Sequence, residues 1–242
     1  MQTINWQEKY KDKVKAASAA MQLIKSGNSI FIGTGCAQPQ HLVHSLVEYS
    51  DHIYDAHIVH LLTMGEAPYV DDKFRDKFKM NSFFIADNVR HALDRGVGDY
   101  TPIFLSEIPA EFESGRIPID VALISVAPPD ANGLCSLGVS VDIVQSAAAS
   151  ARYVIAQVNS HMPRTHGNSF VHVNTIDVLV PYDEPIIEIP IDEPDETLRR
   201  IGQNVAQLVE DGSTIECGIG RLPQALAEYL VYKKDLGVHT EM

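Results

Sequence analysis

Apolar positions along the chain switch between two periods. Val14, Ala17, Met21 and Ile24 recur at the spacing of one helix face, and Gly27 stands where such a helix would cap. Ser29–Ile32 follows as a short β-prone run that enters the turn Gly33-Thr34-Gly35. Residues 57–62 read as a second strand. Val121–Val126 and residues 154–158 are near-continuous apolar runs, the pattern of parallel strands covered on both faces. Between them, Asp142 is placed to cap an alanine-rich helix over residues 143–151. The alternation predicts an α/β fold, an open and mostly parallel sheet with helices on both faces.

The pattern breaks after residue 180. Pro181, Pro185, Pro190 and Pro194 punctuate an acidic stretch with no Lys or Arg before Arg199. Regular prolines remove backbone donors, so an edge strand or an extended crossing segment is expected there. Leu198, Ile201, Val205 and Leu208 then mark a new amphipathic helix ending at Gly212.

That helix introduces an internal repeat. The run from Gly27 through Ser29, Ile30 and Gly33 to Gly35 aligns with the run from Gly212 through Thr214, Ile215 and Gly218 to Gly220. Pro39, Gln40 and Leu42 align with Pro223, Gln224 and Leu226 after a one-residue gap. Self-similarity this far apart suggests a duplicated domain. The expected division is a first α/β half over residues 1–190 and the start of a second half over residues 191–242. A complete second half would need roughly 140 further residues by analogy with the first. The second part therefore reads as incomplete. Its uncovered apolar faces predict self-association or a partner.

Composition narrows the partners. The 242 residues carry a formal net charge of -13, with 45% hydrophobic and 21% charged residues. Such a chain can bury a sizeable core, and its acidity argues against nucleic acid or an anionic membrane as main partner. Three cysteines without a CxxC pair fit a reducing compartment rather than a disulfide framework. Residues 1–15 are polar and hold no apolar stretch of signal-peptide length, so a cytoplasmic location is expected.

The candidate chemistry gathers at turns. Gly33-Thr34-Gly35 and Gly218-Ile219-Gly220 each join a strand to a helix, where backbone N–H groups can approach an anion or an oxyanion. The third glycine of a dinucleotide fingerprint would fall at Gln38 and Pro223, which weakens a nicotinamide reading. By the repeat, Glu241 falls near the carboxyl end of a second strand, beside the Gly218–Gly220 turn. A carboxylate there pairs with the N–H groups as nucleophile and oxyanion site, or is a charge at the end of the sequence. Arg164 is a candidate anion contact. His41, His44, His57 and His60 lack an HExxH helix or a fitting carboxylate set, so no metal site is expected. Cys36 and Cys217 read as small buried side chains rather than nucleophiles.

Several of these segments together resemble the acetyl-CoA hydrolase/transferase family. They are Pro128-Pro129-Asp130 with Gly133, Gly138-Val139-Ser140-Val141-Asp142, Val158-Asn159 with Met162-Pro163-Arg164-Thr165, Gly218-Ile219-Gly220 with Pro223, and Leu236-Gly237-Val238-His239-Thr240-Glu241-Met242. The resemblance spans nearly the whole chain and is nearest to the 4-hydroxybutyrate and butyrate CoA-transferases. It implies two similar α/β halves, Glu241 as catalytic glutamate, and an oxyanion and CoA pocket at Gly218, Gly220, Arg221 and Leu222. Gly33, Gly35 and Arg164 would lie on the substrate side. Glu216 and Arg221 depart from the family pattern, where glutamine and a small residue are more frequent, and bear on the acyl preference.

The implied reaction moves coenzyme A between an acyl-CoA and a short-chain carboxylate through a glutamyl-CoA thioester. A free glutamate titrates at about 4.3, so Glu241 is an anion at neutral pH. No permanently bound cofactor or metal is implied. The partners are an acyl-CoA, a small carboxylate and further copies in a homo-oligomer. An acyl-CoA hydrolase of the same family is the nearest alternative. A non-catalytic α/β subunit or assembly fragment is the alternative of another class.

Overall fold

The computed structural model describes residues 5–190 and 193–240. The chain divides into two compact units, Met1–Glu188 and Ile189–Met242. The first contains helices α1 (Trp6–Lys9), α2 (Ala17–Met21), α3 (Gln40–Glu48), α4 (Asp87–Asp94), α5 (Ile108–Glu113) and α6 (Val144–Ser150). Its strands are β1 (Ser29–Ile32), β2 (Ala56–His60), β3 (Phe78–Ser82), β4 (Gly98–Tyr100), β5 (Val121–Val126), β6 (Leu134–Ser136), β7 (Tyr153–Val158), β8 (Phe170–His172) and β9 (Val178–Pro181). Seven of them form one sheet in the order β4-β3-β2-β1-β5-β7-β9, and every adjacent pair is parallel. β6 and β8 make a separate antiparallel pair.

Alternation along the strands explains the two covered faces. Ile30 and Ile32 of β1, with Val121 and Leu123 of β5, bury against Met21, Leu42, Leu46 and Val89 of α2, α3 and α4. Phe31, Ala122 and Ile124 point the other way, against Phe112 of α5 and Val144 and Ala147 of α6. Central strands with helices on both faces have no polar side, so their sequence is a continuous apolar run.

Several boundaries differ from the sequence reading. The helix read over residues 14–24 is the shorter α2: it starts only at Ala17, because Val14 forms a parallel bridge to Leu179, and it closes at Met21. β2 runs over Ala56–His60 rather than to residue 62. α6 starts at Val144 with Ile143 as cap residue, yet the Asp142 carboxylate accepts the N–H groups of Ile143 and Val144. The proline-rich stretch begins as the edge strand β9, with Pro181 as its last residue, and continues without regular structure to residue 190.

The second unit comprises α7 (Glu196–Ala206), β10 (Thr214–Ile215), α8 (Arg221–Leu230) and β11 (Gly237–Val238), with β10 and β11 parallel. Asp195 caps α7 by accepting from the Leu198 N–H at 2.9 Å. The apolar stripe read for this helix stays uncovered among the described residues, and a second face of small residues packs on α8. Ile201, Val205 and Leu208 are exposed, and Gly202 and Ala206 are buried instead. α8 crosses so closely that a Cβ on Gly202 would lie 2.9 Å from the Ala225 carbonyl oxygen, and only a small residue permits that approach.

The repeat extends to individual hydrogen bonds. Gly27 has φ +76° and donates its N–H to the Tyr54 carbonyl at 3.0 Å; Gly212 has φ +79° and donates to the Lys234 carbonyl at 2.9 Å. His57 donates to the Asn28 carbonyl at 2.8 Å, and Gly237 to the Ser213 carbonyl at 2.9 Å. Each unit thus has helix, strand, glycine turn, helix and parallel strand in the same order.

Candidate active site

Two loop clusters carry the candidate residues, one in each unit. In the first unit the chain winds from β1 toward β2 on one side and continues with β5 on the other. Open parallel sheets form their ligand crevice at the carboxyl ends of strands flanking such a reversal. Gly33-Thr34-Gly35 leaves β1 at this point. The Gly33 N–H reaches the Leu123 carbonyl at 2.8 Å, and the Gly35 N–H reaches the Leu62 carbonyl at 2.7 Å.

The loop after β6 lies directly on this turn. Gly35 has φ +56°, a conformation that favours glycine, and a Cβ there would stand 2.6 Å from Ser140 Oγ. Thr34, almost fully buried, donates its hydroxyl to Asp142 Oδ2. Asp142 Oδ1 accepts the two N–H groups opening α6. Loss of water holds the Asp142 carboxyl above the usual range, against the opposing pull of the Thr34 hydroxyl and the two amides. In the sequence Asp142 is a helix-cap candidate and the last residue of one family-like segment, and nothing there joins it to Thr34. The signal for Thr34 was its position between two glycines at the end of a buried strand.

Arg164 has an internal partner. Its Nη2 donates to Asp130 Oδ2 at 2.7 Å and its guanidinium lies 4.5 Å over the Phe170 ring. Asp130 Oδ1 also accepts the N–H groups of Asn132 and Leu134, each at 2.9 Å. Arg164 therefore braces the turn after β5 against β8.

The loop after β2 is tied to the start of α3. Gln38 Oε1 accepts the Gly65 N–H at 2.8 Å and its Nε2 donates to the Glu66 carbonyl at 2.9 Å. His60 at the end of β2 is fully buried, and its Nε2 has no partner. Burial pushes its pKa down to about 4. Among the described residues, no three His, Cys, Asp or Glu side chains gather as a metal-ligand set. Cys36 and Cys217 are half-buried rather than buried; only Cys135 is enclosed, and burial pushes its thiol up to about 12. Burial also raises the Cys36 thiol.

In the second unit, Gly220 caps α8 with φ +116°, and Gly218 and Ile219 are exposed. Arg221 and Leu222 open the helix, so their N–H groups belong to the turn that has no intrahelical acceptor. The Arg221 guanidinium lies 3.7 Å from Asp195 Oδ2. At the other side of the turn, Thr240 Oγ1 donates to the Cys217 carbonyl at 2.6 Å and accepts the Cys217 N–H at 3.3 Å. The residue before Glu241 is thereby fixed to the residue before Gly218. Glu241 itself lies outside the described residues. An open cleft of about 520 Å³ adjoins, lined by Thr214, Ile215, Glu216, His239 and Thr240.

The family model of the acetyl-CoA hydrolase/transferase N-terminal domain matches residues 1–190. Over 239 residues the chain is 40% identical to the 4-hydroxybutyrate coenzyme A transferase of Clostridium kluyveri, covering 99% of this chain and 56% of that protein. Over 222 residues it is 41% identical to the succinyl-CoA:acetate/propanoyl-CoA:succinate CoA transferase of Fasciola hepatica, covering 90% of this chain and 46% of that one. Among solved structures, RipA from Yersinia pestis superposes with a TM-score of 0.90 at 29% identity, over 98% of this chain and 58% of that chain. The 4-hydroxybutyrate CoA-transferase of Porphyromonas gingivalis gives 0.82 at 33% identity, over 98% and 56%. The chain spans about half the length of the curated relatives it matches. Among the described residues no helix is long and apolar enough to cross a membrane.

Proposed function

The chain belongs to the acetyl-CoA hydrolase/transferase family, and from that membership we propose that the protein transfers coenzyme A between an acyl-CoA and a short-chain carboxylate of the acetate, butyrate or 4-hydroxybutyrate type. The observation that carries the reading is the attachment of Thr240 to Cys217, which sets the residue preceding Glu241 beside the Gly218–Gly220 turn. The relatives named as CoA transferases support it.

Glu241 is the nucleophile. Its carboxylate attacks the thioester carbonyl, forming an acyl-glutamyl anhydride and expelling CoA thiolate. The thiolate attacks the glutamyl carbonyl, releasing the acyl group as a carboxylate and leaving a glutamyl-CoA thioester. The acceptor carboxylate attacks that thioester, and the returning thiolate takes the new acyl group and restores Glu241. Each tetrahedral intermediate places negative charge on oxygen. Gly218, Gly220, Arg221 and Leu222 supply the N–H groups for it and for the CoA end of the substrate. Gly33 and Gly35 shape the substrate side, with Arg164 holding the neighbouring turn. Every step exchanges a carboxylate for a thiolate, so no redox change and no permanently bound cofactor is required.

Residues 1–190 are then the N-terminal half and residues 191–242 the opening of the catalytic half. The reading includes a cytoplasmic homo-oligomer. The test uses the protein at its full natural length, with acyl-CoA and borohydride. A reduced glutamyl-CoA thioester at the peptide containing His239 and Glu241, lost in Glu241→Gln, is the expected result. Turnover of acyl-CoA at full rate without any carboxylate acceptor would instead establish the hydrolase.

A further inference from the structure

The two copies of the repeat differ on one face of their strands. In the first unit, Phe31 of β1 pairs with Val59 of β2. Both are buried, and the Phe112 ring closes on Phe31 with centroids 5.9 Å apart. In the second unit, Ile215 pairs with Val238, so the next rung holds Glu216 and His239, joined by the His239 N–H to the Ile215 carbonyl at 3.0 Å. The repeat puts Glu216 in the place of Phe31, and His239 in the place of Val59. A wall of two apolar residues has become a wall of a carboxylate and an imidazole.

Such a wall does not suit an apolar helix like α5, because an unpaired carboxylate is costly to bury. It suits a wet, ligand-bearing surface, and it lines the open cleft of about 520 Å³ beside Thr240. No Lys or Arg is among the described residues lining that cleft. A carboxylate accepts hydrogen bonds and donates none when ionised. It favours hydroxyl or amide groups on a bound chain and repels a second carboxylate.

On this basis we infer that Glu216 is a specificity-determining residue, selecting monocarboxylates and hydroxy-monocarboxylates over dicarboxylates. The inference rests on the CoA-transfer reading above. Two carboxylates a few ångströms apart repel, which disfavours binding by about tenfold.

The experiment compares butyrate, 4-hydroxybutyrate and succinate as acceptors with acetyl-CoA, using the protein at its full natural length. The parent protein should use succinate at least about tenfold less efficiently in kcat/KM. Glu216→Gln, which keeps the shape and removes the charge, should narrow that ratio about tenfold, chiefly through the KM for succinate. Glu216→Asp, which keeps the charge, should preserve the discrimination. Thermal melts establish that both variants fold. A butyrate-to-succinate ratio that stays within about twofold in Glu216→Gln, with both acceptors still turned over, overturns the inference and leaves the transfer reading intact. Absence of transfer to all three acceptors by the parent protein overturns that reading and the inference with it.

Discussion

The Thr34 hydroxyl donates to the Asp142 carboxylate across 108 residues of chain, joining the turn after β1 to the start of α6. One carboxylate thus serves two loops that meet at the winding reversal of the sheet. Removing either partner leaves the other with a polar group deprived of its match. Thr34→Val is expected to destabilise the fold by about 1 kcal/mol. Asp142→Ala, which also removes the acceptor at the α6 terminus, should cost about 2 kcal/mol. Urea denaturation of the single and double variants should show non-additivity. Strictly additive values would mean that the two groups do not interact.

Gly138 offers a steric test. Its φ is +65°, and a Cβ would overlap Met162 Sδ and stand 3.2 Å from the Pro163 carbonyl oxygen. Met162 is itself buried and has little room to yield. Gly138→Ala should therefore lose about 2 kcal/mol or more. Gly167→Ala, at φ +86° with nothing within 4 Å of the added Cβ, should lose only the left-handed backbone cost of about 1 kcal/mol. Equal losses at the two positions would remove the packing argument.

His60 makes stability depend on pH. In the fold it stays neutral down to about 4, while in the unfolded chain it takes a proton near its ordinary 6.5. Between those values the unfolded chain binds more protons, so stability falls as pH drops from about 6.5 to about 4. The loss over the whole window is about 3 kcal/mol. His60→Leu should have a shallower slope over this range, measured by denaturant midpoints. Parallel slopes for parent and variant would show that other groups carry the dependence.

The second unit depends on a small residue at the crossing of its helices. Gly202→Ala adds helix propensity worth about 1 kcal/mol but drives a Cβ to 2.9 Å from the Ala225 carbonyl oxygen. The clash should prevail, and hydrogen exchange of α7 and α8 amides should accelerate. Gln203→Ala, on the exposed side of the same helix, should leave exchange unchanged or slower. Slower exchange in Gly202→Ala would show that the helices can move apart at little cost.

Much of the fold is legible in the residues themselves. β5 and, but for its first residue, β7 match the apolar runs read at residues 121–126 and 154–158, because strands covered on both faces need few polar positions. The glycine turns at residues 33–35 and 218–220 are visible because φ constraints and strand ends are local. The repeat is visible because the same local rules are used twice. Tertiary structure decided the rest. The order of strands and the winding reversal beside Gly33 follow from pairings across distant segments. The pairing of Arg164 with Asp130, the burial of His60 and the bond from Thr34 to Asp142 each join residues that no short window contains. Even an amphipathic pattern was resolved only by packing. Ile201, Val205 and Leu208 made the stripe, yet Gly202 and Ala206 make the contact, because helix approach rewards small residues where backbone atoms must nearly touch.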